Sequence, residues 1–193
     1  MSPKFSFSLC LIFLTMLSTG QSQTKGIAGK NAPSWNIDSW YQLPKDTETL
    51  DVTDFRGKVL VVYCFQSWCP GCHSHGFPTL KKLVSKFDDD EKVEFVVIQT
   101  AFEGLETNSV EKLKPTAERY DLKIPFGHSA TRRRDGRSVL ESYRTGGTPW
   151  FIIIDPLGKV QHNGFSIDFD EAAEAIEELK NAKPDADAAI FGK

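Results

Sequence analysis

Short, almost unbroken apolar runs alternate along the chain with longer stretches in which apolar positions recur every three or four residues. Val59–Phe65 (VLVVYCF) and Trp150–Ile154 (WFIII) are apolar at every position, and Val93–Ile98 at every position but Glu94. Runs this short, rich in β-branched and aromatic residues, predict strands buried on both faces, as at the centre of an α/β sheet. A helix is predicted from about Cys69 to Phe87, with Leu80, Leu83, Val84 and Phe87 on its inner face. Pro78 lies inside it and predicts a kink, because proline removes one internal hydrogen bond. Asn108 or Ser109 caps a second helix reaching Tyr120, and Ser138–Tyr143 supplies one or two helical turns. Asp168 or Asp170 opens a last helix that turns Phe169, Ala172, Ala173, Ile176 and Leu179 inward. Among the weaker signals, residues 35–40 alternate like an edge strand, Leu50–Phe55 is an amphipathic turn, and Ile124-Pro125-Phe126 is extended. Asp155–Gly158 is a turn leading into a returning strand, Lys159–Phe165. Strands alternating with helices, closed by a hairpin and a helix, predict a three-layer α/β/α sandwich around a central mixed sheet.

Composition adds little to that picture. The chain has 193 residues, 40% hydrophobic and 25% charged, which suits one ordinary globular domain. Its net charge of −3 gives no global pull toward nucleic acid or an anionic membrane surface. The N-terminus matters more. Lys4 precedes an apolar stretch, Phe5–Leu17, and then small residues at Ser18, Thr19, Gly20 and Ser22. This predicts a signal peptide over residues 1–22. The apolar stretch is shorter than the roughly 20 residues a spanning helix needs, an uncleaved anchor being the alternative. Residues 23–34 are small and polar and read as a linker, 35–183 as the domain, and 184–193 as a flexible tail. Removal of the leader takes Cys10 with it. Cys64, Cys69 and Cys72 are then expected to work in a periplasmic or secreted protein, outside the reducing cytosol.

The chemistry concentrates at Trp68-Cys69-Pro70-Gly71-Cys72, just after a predicted strand and at the start of a helix. Cysteines three apart in a first helical turn are close enough for their sulfurs to bond. The helix N-terminus offers free N–H groups and partial positive charge, which stabilise a thiolate. Cys69, nearer solvent, is expected to be the nucleophile, and Cys72, one turn deeper, the resolving thiol. Cys64, inside the strand, reads as a small buried hydrophobe.

With Gly57-Lys58-Val59 before it and Gly146-Gly147-Thr148-Pro149 leading into an apolar strand, this motif resembles the thioredoxin superfamily, and within it the extracytoplasmic redoxins related to TlpA and ResA. The resemblance spans roughly Ala32 to Lys180. It implies a cis Thr148–Pro149 bond facing the cysteine pair, Trp68 beside it, and the Thr148 backbone pairing with substrate. It also implies a thiol–disulfide oxidoreductase without a bound cofactor, acting on protein thiols and disulfides, most naturally as a reductase recharged by a membrane thiol transporter. Two positions depart from the pattern. Tyr63 stands where thioredoxin has a buried Asp six residues before the first cysteine. His75 stands where the ResA-like branch has a Glu three residues after the second. Tyr63 and His75 are therefore the candidate proton relays, with a surface imidazole as the plain alternative for His75. Trp150, where the cytochrome-maturation thioredoxins carry Glu, reads as packing and argues against that group.

Other chemistries fit less well. Cys69-Pro70-Gly71-Cys72-His73 matches the c-type haem signature, but the flanking strands favour thioredoxin geometry. Cys69, Cys72, His73 and His75 are possible soft-metal ligands for a copper-delivery module, with His128 and His162 of unknown place. A peroxiredoxin-like antioxidant enzyme requires a Pro-x-x-x-Thr-x-x-Cys run, and neither Val62 and Gln66 before Cys69 nor Phe65 and Cys69 before Cys72 supplies it. A pure binding module on this fold needs no redox-active pair. Arg132-Arg133-Arg134-Asp135-Gly136-Arg137 is the one concentrated basic patch: a solvated loop, or a docking site for an acidic redox partner.

Overall fold

The structure, a computed structural model, describes residues 26–37, 39–130 and 137–182. Six strands form one sheet: β1 (Ser39–Tyr41), β2 (Val59–Phe65), β3 (Val93–Ala101), β4 (Phe126–Ala130), β5 (Trp150–Ile154) and β6 (Val160–Gly164), in the order β1-β4-β3-β2-β5-β6. The helices are α1 (Phe77–Lys86), α2 (Leu113–Tyr120), α3 (Val139–Ser142) and α4 (Phe169–Asn181). Strands β2, β3 and β4 run parallel, joined through α1 and α2. β1, β5 and β6 are each antiparallel to their neighbours. The sheet is therefore mixed, as predicted.

Side chains on a strand alternate between faces, so β2 feeds two cores. Val59, Val61, Tyr63 and Phe65 face α1, α2 and α4, where Phe77, Leu80, Leu83, Leu113, Ala172 and Ile176 meet them. Leu60, Val62 and Cys64 face the other way, under Trp35, Phe55, Val139 and Tyr143. The second layer is thus made of α3, a short 3₁₀ turn (Val52–Phe55) and the N-terminal segment.

Three local features differ from expectation. The irregularity expected at Pro78 takes the form of a π-type turn over Cys72–Gly76, where the Phe77 N–H reaches back five residues to the Cys72 carbonyl. Pro78 follows, where helical backbone runs on from the turn into α1, and its missing N–H leaves a carbonyl of that turn without a helical partner. The edge strand lies at Ser39–Tyr41 rather than residues 35–40. Trp35 is instead a core plug whose indole N–H donates to the Tyr143 hydroxyl (3.1 Å) while its backbone N–H donates to Asp51 (2.6 Å). Residues 26–34, which read as a linker, are docked on the hairpin. Gly29 donates to the Val160 carbonyl (2.8 Å), Ala32 to that of Gly158 (2.8 Å), and Ile27 and Ala32 are buried. Their small size hid a packed segment. The leader over residues 1–22, the arginines at 132–134 and the tail from 184 lie outside the described residues. Among the described residues no helix is long and apolar enough to cross a membrane.

Candidate active site

The site forms where β2 ends and the chain turns into the π-type turn ahead of α1. Cys69 donates its backbone N–H to the Gln66 carbonyl (3.1 Å), closing a tight loop around Ser67 and Trp68. The Cys72 N–H points back at Cys69, 3.1 Å from its carbonyl oxygen and 3.3 Å from its Sγ. Both cysteines are thiols. Cys69 keeps 6% of its surface exposed and Cys72 none, so a partner's sulfur can reach only the first. Across from them the Thr148–Pro149 bond is cis. The Cys69 thiol donates to the Thr148 carbonyl at 3.5 Å, and the Thr148 hydroxyl donates to Gln66 Oε1 at 3.3 Å. Pro149 rests on Gly71 so closely that a Cβ there would lie 3.3 Å from the proline Cδ. Trp68 flanks the pair, almost half exposed. The structure thus brings together Cys69, Cys72, Trp68, Thr148 and Pro149.

Beneath the pair lies Tyr63. Its ring packs against Phe77 (4.9 Å between centroids) and Phe151 (4.7 Å), and its hydroxyl donates to the Cys72 carbonyl at 3.1 Å. Gly76 makes room for it: a Cβ there would lie 2.0 Å from the hydroxyl oxygen. Burial, reinforced by the neighbouring cysteines, pushes the phenol far above its ordinary value. Tyr63 is therefore a fixed donor and has no capacity to take a proton from Cys72 at neutral pH. Burial also raises the Cys72 thiol well above an ordinary cysteine. The Cys69 side chain adds to this, while the Gln66 backbone and the Thr148 hydroxyl oppose it.

His75 does not face the pair. The five-residue spacing of the π-type turn leaves Cys72 and Gly76 inward and turns Ser74 and His75 out to solvent, where the imidazole Nδ1 bonds the Ser74 hydroxyl at 2.7 Å. The relay expected at His75 is corrected accordingly. Cys64 faces the opposite core, and burial raises its thiol too. Among the described residues no three His, Cys, Asp or Glu side chains are placed to hold a metal ion. His73 is instead bonded to Ser67 and Tyr120, and His128 lies on β4 against Gln99.

The polar frame of the site has no counterpart in the sequence reading: Gln66, Ser67 and Gln99 carry no role there, His73 appears only as a metal-ligand candidate and Asn108 only as a helix cap. The signal available was a pair of amides, Gln66 and Gln99, each just after an unbroken apolar run. The sheet places Gln99 opposite Phe65, at the rim beneath the cysteine loop. The Gln66 amide donates to the Glu103 carbonyl (3.2 Å) and that of Asn108 to the same oxygen (2.9 Å), tying the loop after β3 to the site.

This fold and this dithiol define a thioredoxin-like thiol–disulfide oxidoreductase. A family model described as Redoxin matches residues 27–179, and the chain belongs to that family. Among solved structures it is similar to a thioredoxin-like superfamily protein at 29% identity, with a TM-score of 0.70 over 80% of this chain and 98% of that one. It is also similar to a thiol-disulfide isomerase from Corynebacterium glutamicum at 26% identity, TM-score 0.68, over 80% of this chain and 98% of that one. The thioredoxin domain of a thiol-disulfide oxidoreductase from Bacteroides vulgatus shares the fold at 22% identity, TM-score 0.60, over 80% and 99%. No curated protein matches the chain.

Proposed function

We propose that the chain reduces disulfides in protein partners outside the cytosol, through Cys69 and Cys72. The observation that carries this reading is the Cys72 N–H aimed at a nearly covered Cys69 sulfur, opposite the Thr148 carbonyl. Cys69, as thiolate, attacks one sulfur of a partner disulfide. A Cys69–partner bond forms, the partner disulfide breaks, and the second partner sulfur leaves with the electron pair and takes a proton. Cys72 then loses its proton and attacks Cys69 Sγ. The mixed disulfide breaks, a Cys69–Cys72 bond forms, and the partner departs with two thiols. Capture of Cys69 in the mixed disulfide removes the neighbour that helps raise Cys72, while the Gln66 and Thr148 donors remain, which favours the second step. Thr148 offers its backbone for pairing with the partner's chain.

The reducing direction is supported by the likeness to the extracytoplasmic redoxins, and it turns on the attacking sulfur: a dithiol whose Cys69 is poorly stabilised as thiolate is the stronger reductant. Equilibration with glutathione, followed by Trp68 emission, tests this. A potential near −270 mV is expected, and one near −120 mV refutes it. The extracytoplasmic setting rests on the leader pattern of residues 1–22 and implies recharging by a membrane thiol transporter. It is tested by the mass of the protein recovered outside the cytosol; recovery in the cytosol with Met1 retained overturns it.

A further inference from the structure

Ser67, two residues before Cys69, is pinned at each of its polar groups. Its N–H donates to Asn108 Oδ1 (2.7 Å), its hydroxyl lies 2.6 Å from the Gln99 amide, and its carbonyl lies 2.7 Å from His73 Nε2. The first two partners are themselves anchored, Asn108 on the carbonyls of Glu103 and Gly104, Gln99 on His128. Those anchors sit on the sheet and its loops. His73 is the anchor from the helix side, and it directly follows Cys72.

The chemistry of the contact fixes its sense. A carbonyl only accepts, so Nε2 carries the proton. Nδ1 lies 2.7 Å from the Tyr120 hydroxyl, which also lies 3.5 Å from the His73 carbonyl. Phe77 and Tyr120 stack directly on each other, 4.1 Å between centroids, and the imidazole lies beside that pair, 5.7 and 5.9 Å from their centroids with its plane within 22° and 14° of theirs. Both nitrogens are committed, and no step of the exchange uses either of them.

We infer that His73 is a positioning residue: its Nε2–H clamps the Ser67 carbonyl and thereby holds Cys69 over Cys72 for ring closure. The clamp joins the chain just before the first cysteine to the residue just after the second, closing a loop of residues 67–73 around the pair. An intramolecular attack depends on how much of the time its two sulfurs are in register. Loosening Ser67 lowers that fraction without touching either sulfur. The inference rests on the exchange reading above.

The test compares two substitutions. His73→Phe keeps an aromatic ring beside the Phe77–Tyr120 pair and removes both ring nitrogens, the donor to Ser67 among them. His73→Gln places an amide N–H where Nε2 stood and gives up the ring. A hydrogen bond worth about 0.5–1.5 kcal/mol corresponds to a factor of roughly 2 to 12. His73→Phe is expected to slow release of a preformed mixed disulfide, and to lower the oxidation constant against glutathione, by that factor. The rate at which Cys69 is first alkylated should change little. His73→Gln should recover most of the ring-closure rate. Wild-type closure rates in His73→Phe, or equal losses in both variants, overturn the clamp while leaving the exchange reading intact. A wild-type protein that exchanges no disulfide sinks the exchange reading instead. A third measurement needs no variant. ¹⁵N spectra of the wild-type dithiol should show a proton on His73 Nε2, and a bare Nε2 refutes the assignment.

Discussion

Replacing Gly76 by alanine puts a methyl carbon 2.0 Å from the Tyr63 hydroxyl oxygen and 2.6 and 2.8 Å from two of its ring carbons. The ring has nowhere to go. It is fully buried, wedged among Phe65, Phe77 and Phe151, and tied to the Cys72 carbonyl. Either the ring or the π-type turn must shift. Forcing an extra methyl into a filled core costs about 1–3 kcal/mol. Loss of the tyrosine hydrogen bond adds about 0.5–1.5 kcal/mol. The expected loss is about 2–4 kcal/mol, a fall in Tm of roughly 4–16 °C for a domain of this size. Urea unfolding should give the same free energy with an unchanged slope. Because Cys72 shares that carbonyl with the Phe77 N–H, its sulfur moves with the turn, and exchange should slow as well. Tyr63→Phe relieves the closest contact but leaves the carbon at 2.6 Å. The double variant should therefore be more stable than the two single losses predict. A Gly76→Ala loss below about 0.5 kcal/mol, or strict additivity with Tyr63→Phe, refutes the reasoning.

Cys72→Ser should accumulate a mixed disulfide with a partner, visible on non-reducing gels and by mass, whereas Cys69→Ser should form none; adduct formation in the latter reverses the assigned roles. Burial holds His128 and His162 below the ordinary imidazole value of 6.5, so the unfolded chain takes up protons before the folded one does. Stability should be full above pH 6.5 and fall as pH drops from there through the depressed native values. His128→Gln should flatten part of that slope in urea titrations, and an already flat wild-type profile between pH 6.5 and 5 contradicts it. Ser138 caps α3, accepting from the Glu141 N–H while Glu141 reaches back to the Ser138 N–H. Ser138→Ala should cost about 1 kcal/mol in thermal unfolding without altering the redox potential, and no change in Tm discards the cap.

The sequence pattern was most legible where burial is uniform. β2 and β5 have the bounds their apolar runs suggested, because strands covered on both faces need no alternation. β3 runs past Ile98 to Ala101, and its last turns of pleat hid behind polarity. Gln99 and Thr100 are fully buried, and Gln99 is there to serve the cysteine loop. The same blind spot covers the polar frame of the site. Cys69, Cys72, Thr148 and Pro149 announce themselves by type and spacing. His73 and His75 look equivalent on paper, and only the widened turn at Cys72–Gly76 decides which faces inward. That turn packs Gly76 against Tyr63, a contact thirteen residues apart that no local periodicity encodes.

The contact between Pro149 and Gly71 bears on how this site can diverge. Of the two residues between the cysteines, Pro70 is exposed and Gly71 is pressed against the proline loop. A Cβ at 71 would press on the Pro149 ring at 3.3 Å, so the proline loop, with the Thr148 carbonyl in it, must yield slightly. Changes at 71 therefore alter which partners dock and how strongly electrons are held in one stroke. Changes at 70 are free to adjust the second property by itself. A library built to retune the potential while keeping its clients should vary position 70 and leave 71 alone.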